Sequence, residues 1–163
     1  MESIRAFLPG DLEQITELWN GIVRAGDSFP QTDPLDLPAA ARFFGEQTFT
    51  GVYAPEGEVL GLYILHPNNV GRCGHIANAS YAVRPGQRGR RIGERLVLHS
   101  LARAREAGFR ILQFNAVVAT NEPALKLYER LGFTRLGTIP GGFLSREGVY
   151  LDIIPHFISL ADS

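Results

Sequence analysis

The chain has 163 residues, 45% of them hydrophobic, and its 16 lysines and arginines nearly balance its 17 aspartates and glutamates, for a formal net charge of −1. This length and composition predict a single globular domain over residues 1–163 with a sizeable core, and the near-neutral charge argues against a nucleic-acid binder, which usually carries a basic face. No apolar run approaches the roughly 20 residues needed to span a bilayer, and no signal peptide is recognised, so no membrane partner is expected and the expected location is cytoplasmic. The single cysteine excludes an intramolecular disulfide, and the four histidines share no metal-ligand spacing, so no metal is expected.

Hydrophobic periodicity and turn signals predict alternating strands and helices along the chain. A loop over 26–38, rich in proline and aspartate, interrupts them early, and loops of this length often serve as binding loops or lids. The order predicts an α/β fold in which a mixed central sheet of about seven strands is flanked by about four helices. The predicted elements are strand 3–8, helix 12–23, helix 39–46, strands 48–54 and 58–66 joined by a turn at 55–57, strand 75–84, helix 93–107, strand 110–118, helix 121–131, and strands 133–139 and 143–154 joined by a turn at 140–142.

An arginine- and glycine-rich loop joins strand 75–84 to helix 93–107. The first N–H groups of a helix have no intrahelical partner, and the helix dipole adds partial positive charge there, so this loop suits a phosphate or pyrophosphate. Gly89 and Gly93 allow the backbone to approach a ligand closely. The glycine spacing fits neither a Walker loop nor G-x-G-x-x-G. The interpretations left are a small-anion site and a solvated or nucleic-acid-binding arginine surface. The arginines are Arg84, Arg88, Arg90, Arg91 and Arg95.

A second informative stretch is N-E-P-A-L-K-L-Y-E-R-L-G-F at 121–133. Asn121 is a favourable helix N-cap, Pro123 fits the first turn, and Gly132 ends the helix. Tyr128 falls on the apolar face of this predicted helix.

The two stretches together resemble the Gcn5-related N-acetyltransferases, the GNAT superfamily. Residues 88–93, R-G-R-R-I-G, resemble the acetyl-CoA motif Q/R-x-x-G-x-G/A, and 121–133 resembles the second CoA-side motif N-x-x-A-x-x-L-Y-x-x-x-G-F. Arg91 stands where the family usually has its middle glycine, a change of little consequence if that position is already helical. The resemblance implies a GNAT-like fold, acetyl-CoA as co-substrate, and a pyrophosphate held by backbone amides. The cofactor-binding residues that it implies are Val83, Arg88, Gly89, Arg90, Arg91, Gly93, Asn121 and Tyr128.

Acetyl transfer to an amine requires a deprotonated amine, a stabilised carbonyl oxygen and a proton for the departing thiolate. Tyr128 suits the last role, because a free phenol has a pKa of about 10 and a thiol about 8.5. In the family that this chain resembles, the tyrosine at this place is the general acid. The alternative is a tyrosine that only packs its ring. The family also implies carbonyl polarisation by a backbone N–H near Val83, where the strand separates from its neighbour. No acidic residue stands at an obvious place for a general base, so a water held by backbone carbonyls is expected there.

Asn78 and Asn115 lie inside apolar predicted strands, where asparagine is depleted because its amide must be satisfied when buried. Two neutral amides on neighbouring strands can bind a carboxylate and a secondary amine. The alternative is a polar pair that fixes strand register. Residues 74–157 are similar to the fungal proline-analogue N-acetyltransferases, which acetylate azetidine-2-carboxylate and cis-4-hydroxyproline. This similarity assigns Asn78 and Asn115 to the acceptor site, with Asn115 counted as catalytic beside Tyr128.

Three functions stay open at this stage. The first is acetylation of a small amine or imino acid, and the second is acetylation of a protein or peptide amine, for which aspartates of the loop 26–38 could meet a basic substrate. The third is a non-catalytic acyl-CoA-binding regulatory module, which would have no need of Tyr128. The dense apolar ending over 151–160 fits either the domain's own core or a second copy in a homodimer.

Overall fold

A computed structural model describes residues 4–87 and 89–161 of the chain. Arg88, assigned to the cofactor by resemblance, lies outside the described residues. The helices are α1 (Leu12–Ala25), α2 (Leu37–Gly45), α3 (Ile92–Glu106) and α4 (Glu122–Arg130). The strands are β1 (Ile4–Ala6), β2 (Phe49–Tyr53), β3 (Gly61–Pro67), β4 (Ile76–Val83), β5 (Ile111–Val118), β6 (Thr134–Arg135), β7 (Ile139–Leu144) and β8 (Tyr150–Ser159).

The strands form one mixed sheet between two helical layers. Its order is β1-β2-β3-β4-β5-β8-β6, with β7 paired to β8, and only the central pair β4 and β5 is parallel among the described pairings. One apolar core contains α3 and α4 residues such as Leu96 and Leu125, and the other contains α1 and α2 residues such as Trp19 and Phe44. This architecture confirms the predicted α/β fold. None of the helices within 4–87 and 89–161 combines the length and the hydropathy that a membrane crossing requires.

The C-terminal hairpin differs from the sequence prediction. The predicted turn at 140–142 is wrong, because these residues lie inside β7, and the chain reverses where Ser145 N–H donates to the Val149 carbonyl at 2.8 Å. The glycines instead mark an irregular register between β7 and β8. A Cβ on Gly142 would lie 2.6 Å from Ile153 Cδ1, so a larger residue here would force the Ile153 side chain to move, and glycine lets the two strands approach closely.

The apolar ending packs largely within the domain. Ile153, Ile154 and Leu160 are each no more than 8% exposed and belong to the domain's own cores. Their burial accounts for much of this apolar run without a second copy, and a homodimer stays a prediction.

His156 is a fully buried titratable residue of β8. Its Nδ1 donates to the Ile154 carbonyl oxygen at 2.7 Å, whereas Nε2 is buried without a hydrogen-bond partner among the described residues. Burial lowers the pKa of His156 below its usual value of about 6.5. The fold therefore contains a neutral imidazole that resists protonation.

We expect the free energy of unfolding to fall as pH drops below about 6.5, because the unfolded chain then takes up a proton that folded His156 refuses. Above that pH both states are neutral and this contribution is complete. The change His156→Gln keeps an N–H donor for Ile154 and removes the titration, so it should flatten the slope of stability against pH in urea unfolding between pH 5 and 7. His75→Gln, at an exposed position, is the control that should retain the slope. An unchanged slope in His156→Gln would contradict the assignment.

Candidate active site

The pairing between the central strands β4 and β5 ends early and leaves a cleft between them. Ile76 pairs with Ile111 and Ala77 with Leu112, and the described pairing stops there. A cavity of about 230 Å³ occupies the gap. The separation expected near Val83 therefore already begins after Ala77. The cavity is lined by residues 28–30 of the loop after α1, 78–81 of β4, 114–118 of β5, and Asn121, Ala124 and Tyr128.

The backbone of β4 presents alternate residues to this cleft. Arg84 N–H donates to the Leu60 carbonyl at 2.8 Å, and the Ile76 carbonyl accepts from Asn68 N–H at 2.7 Å. The backbone N–H and C=O groups of the even-numbered residues of β4 are therefore directed toward β3. In an antiparallel pair the intervening residues direct their N–H groups the other way. The N–H of Val83 is thereby directed toward the β5 side, as its assigned role requires, and that role stays a prediction.

The loop before α3 contains the only non-glycine residue of the described chain with a positive φ. Gly89 has a φ of 80°, and Arg91 has φ 54° and ψ 32°. The condition under which Arg91 would be a change of little consequence is not met, because α3 begins at Ile92 and Arg91 is its left-handed N-cap. This conformation costs an L-residue roughly 1–2 kcal/mol, a cost that the glycine of the family motif would avoid.

The N-terminus of α3 is left open by its own cap residue. Asp36 caps α2 and Asn121 caps α4, through side-chain oxygens that accept from Ala39 and Ala124 N–H groups at 2.8 and 3.3 Å. Arg91 makes no such bond, so the first N–H groups of α3 are available to an anion. A Cβ on Gly93 would meet Leu127 Cδ2 at 3.9 Å and Val83 Cγ2 at 4.0 Å, which sets this turn beside α4 and the end of β4.

The arginines predicted for the loop have different surroundings. Arg84 donates to the Val59 carbonyl at 2.7 Å, and Arg95 lies over the ring of Tyr53 at 5.9 Å, so both are engaged away from the loop. Arg90 donates to Gln87 within the loop at 2.8 Å. Glu94 of the first turn of α3 pairs with both Arg91 and Arg130.

Tyr128 lies on the inner face of α4, in an aromatic cluster and on the wall of the cleft. Its ring centroid is 4.5 Å from that of Phe114, 5.4 Å from that of Phe133 and 5.7 Å from that of His156. Burial raises the pKa of Tyr128 well above the value of a free phenol, so the hydroxyl stays protonated at neutral pH. Packing and a position on the cleft are thus both features of this residue.

Asn78 and Asn115 both line the cleft, but each has its hydrogen bonds elsewhere. Asn115 forms a reciprocal amide pair with Asn68, with N–O distances of 2.7 and 3.0 Å. A register shift of β5 against β8 falls between Phe114 and Val117, and such bulges re-aim side chains. Asn78 Oδ1 accepts from Ala79 N–H at 2.8 Å, which leaves its amide N–H groups as donors toward the cleft.

Sequence reasoning missed Asn68, and it named the loop 26–38 as a binding loop or lid without marking residues 28–30 as part of the cleft wall. Asn68 closes the β3–β4 hairpin opposite Ile76, and Ile76 pairs with the start of β5, so an explicit strand register would have brought Asn68 near Asn115. No comparable local signal marks 28–30 within the loop.

The described part of the cleft wall contains no ionisable group suited to accept a proton near neutral pH. Among the described residues that line it there is no aspartate, glutamate or histidine. Within 4–87 and 89–161, no three such side chains or cysteines are grouped so that they could hold a metal ion. The described chemistry of the cleft is therefore that of amides, hydroxyls and backbone groups.

Residues 12–133 match the model of the acetyltransferase (GNAT) family. N-acetyltransferase aca1 of Schizosaccharomyces pombe is 41% identical over 110 residues, an overlap of 64% of this chain and 52% of that protein. The chain thus spans about half the length of this relative.

Solved structures of related proteins superpose closely on this fold. A GCN5-related N-acetyltransferase from Kribbella flavida has a TM-score of 0.87 and 33% identity, over 96% of each chain. A phosphinothricin acetyltransferase from Sinorhizobium meliloti, in complex with AcCoA, has a TM-score of 0.89 over 98% of this chain and 89% of that one. At 22% identity, the second likeness concerns the fold alone.

Proposed function

The chain belongs to the acetyltransferase (GNAT) family, as its two motifs predicted, and we propose that it transfers the acetyl group of acetyl-CoA to the amine of a small molecule, a cyclic imino acid being the narrowest candidate. The observation that carries this proposal is the cleft between β4 and β5, with Tyr128 in its wall and the open N-terminus of α3 near its end. A cleft that only stored an acyl-CoA would need the helix N-terminus but no phenol.

In this proposal the pyrophosphate of acetyl-CoA lies on the first turn of α3, where free N–H groups and the helix dipole favour negative charge. The residues assigned to it are Arg88, Gly89, Arg90, Arg91 and Gly93. The pantetheine arm then follows the gap between β4 and β5, past Asn121, toward Tyr128. The N–H of Val83 polarises the thioester carbonyl, and the phenol hydroxyl donates a hydrogen bond to the sulfur as the thiolate forms.

The size of the cleft supports a small acceptor. A volume of about 230 Å³, walled on several sides, suits a compact amine better than a peptide, which needs an open groove. The amide N–H groups of Asn78 are available to bind the acceptor's oxygen atoms. Asn115, on the same cleft wall, is assigned to the acceptor site together with Asn78. Because the cleft wall offers no described carboxylate or imidazole, the amine loses its proton to water.

The direct test is thiol release from acetyl-CoA by the purified protein against a panel of acceptors. The panel contains azetidine-2-carboxylate, cis-4-hydroxyproline, primary amino acids, polyamines and peptides. Turnover with the cyclic imino acids alone would support the narrow proposal, and turnover with other small amines would keep the enzyme class and replace the acceptor. Turnover with peptides alone would favour the protein-acetylating alternative. Acetyl-CoA binding without any turnover would favour the regulatory module.

For Asn78→Ala we expect the KM of the acceptor to rise about tenfold with the KM of acetyl-CoA unchanged, because a hydrogen bond to a charged group contributes about 1.5–3 kcal/mol. Steady-state kinetics with each substrate varied in turn measures both constants. Asn69→Ala is the control, since among the described residues the Asn69 side chain bonds only to the adjacent Val70 N–H, at 2.8 Å. A lower melting temperature with unchanged acceptor KM would instead identify Asn78 as a residue that fixes strand structure.

A further inference from the structure

A second cavity, of about 420 Å³, lies between the loop after α1 and the β7–β8 hairpin. It shares Phe29 and Pro30 with the wall of the catalytic cleft, so the two spaces adjoin at this part of the loop. Its volume is within the range of about 300–1,000 Å³ that is usual for small-molecule sites. We call it the arginine pocket, lined by Val23, Arg24, Gly26, residues 29–32 and residues 142–146.

The walls of the arginine pocket are held in place by packing. Gly26 ends α1 in a left-handed conformation, and its carbonyl accepts from Arg146 N–H at 3.2 Å. A Cβ on Gly26 would lie 2.7 Å from Arg146 Cβ, so the loop and the hairpin are in close contact there. Phe29 is 8% exposed, and its ring centroid is 4.5 Å from that of Trp19. The pocket is therefore built by fixed elements.

The charge of the arginine pocket has one sign. Arg24 and Arg146 are the only charged side chains among the described residues that line the arginine pocket or the cleft. Both are exposed, and neither has an ion-pair partner within the described residues. Asp27 is close to Arg24 in the sequence and Glu147 follows Arg146, but neither carboxylate lines the pocket. Arg24 also lines a neighbouring cavity with Glu17 and Asp27, but the arginine pocket itself presents two cations and no described anion.

We propose that the acetyl acceptor extends from the cleft, where Asn78 meets it, into the adjoining arginine pocket, where Arg24 and Arg146 bind its free carboxylate. The planar guanidinium group matches a carboxylate with two parallel hydrogen bonds, whereas polyamines and basic peptides would be repelled. The acceptor class is therefore amino or imino acids. This inference rests on the proposed acetyltransferase function and adds the residues that select the acceptor.

The test compares acceptors that differ only in the carboxylate. Azetidine-2-carboxylate and alanine are each assayed beside their carboxamides by thiol release from acetyl-CoA. We expect kcat/KM to be at least about tenfold higher for the acids, as the loss of a charge-assisted contact implies. The amine of a carboxamide is less basic, so a larger fraction of it is unprotonated and able to attack the thioester. This difference favours the carboxamides and therefore opposes the expected result.

Two variants locate the effect. Arg24→Gln and Arg146→Gln should each lower kcat/KM for the acids about tenfold, leave the carboxamides unchanged and leave the KM of acetyl-CoA unchanged. Arg105→Gln, at an exposed position of α3 that lines neither cavity, is the matched control and should change none of these values.

The outcomes separate the inference from the function on which it rests. Equal turnover of acids and carboxamides, turnover of polyamines or peptides alone, or variants that slow both acceptors alike would each overturn the inference and leave the acetyltransferase standing. No turnover with any acceptor would overturn the proposed function itself.

Discussion

Gly93→Glu is expected to weaken acetyl-CoA binding about 100-fold while leaving thermal stability equal or higher. A carboxylate about 6 Å from a bound pyrophosphate charge would repel it by roughly 3 kcal/mol at an effective dielectric constant of about 20. The fold itself has room, because a Cβ at this position makes only ordinary contacts with Leu127 and Val83. Replacing glycine in a helix, and placing an acidic residue in its first turn, both favour the helix. Affinity and stability should therefore move in opposite directions.

The matched control is Gly93→Gln, which has nearly the same shape without the charge. Calorimetric titration with acetyl-CoA and thermal unfolding measure the two quantities for both variants. Glu should cost much more affinity than Gln, and the difference should shrink at high salt because the interaction is electrostatic. Equal losses for both variants would mean that bulk, not charge, matters at this turn. Unchanged affinity in both would place the pyrophosphate elsewhere.

The element order and the cap of α4 could be predicted because each depends on nearby residues. The amphipathic spacing that predicts a helix over 12–23 lies within one short segment, and the observed α1 includes all of these residues. Asn121 is followed by Pro123 in the first turn, and its side chain does accept from Ala124 N–H. Interactions that close within one helical turn leave a local signature, and here that signature was sufficient.

The errors arose where long-range packing decides the conformation. Glycines at 141 and 142 usually signal a turn, but here Gly142 lets β7 approach β8 against Ile153. Arg91 gave no sequence sign of its left-handed backbone, since arginine rarely adopts it. The amide that pairs with Asn115 belongs to Asn68 of a separate hairpin, a contact that depends on sheet register and leaves no local signal in the sequence.

The chemistry of Tyr128 was also only partly predictable from sequence. The reference pKa of a phenol, about 10, describes a solvated tyrosine. In the fold, burial raises the pKa of Tyr128, which widens its gap to a thiol. Hydrogen-bond donation to the developing thiolate therefore contributes more of the expected effect than complete proton transfer.

Tyr128→Phe is accordingly expected to lower kcat about 10- to 100-fold with little change in acetyl-CoA affinity, because it removes a group that acts only as the thiolate forms. Since the raised pKa keeps the half-buried phenol protonated, the loss should be the same factor between about pH 6.5 and 9. The phenylalanine ring keeps the contacts with Phe114, Phe133 and His156, so the melting temperature should change little. Tyr150→Phe, on a side chain that is 69% exposed, is the control for loss of a hydroxyl. Unchanged turnover in Tyr128→Phe would reduce Tyr128 to a packing residue, and a loss confined to alkaline pH would point instead to a phenol that ionises within the working range.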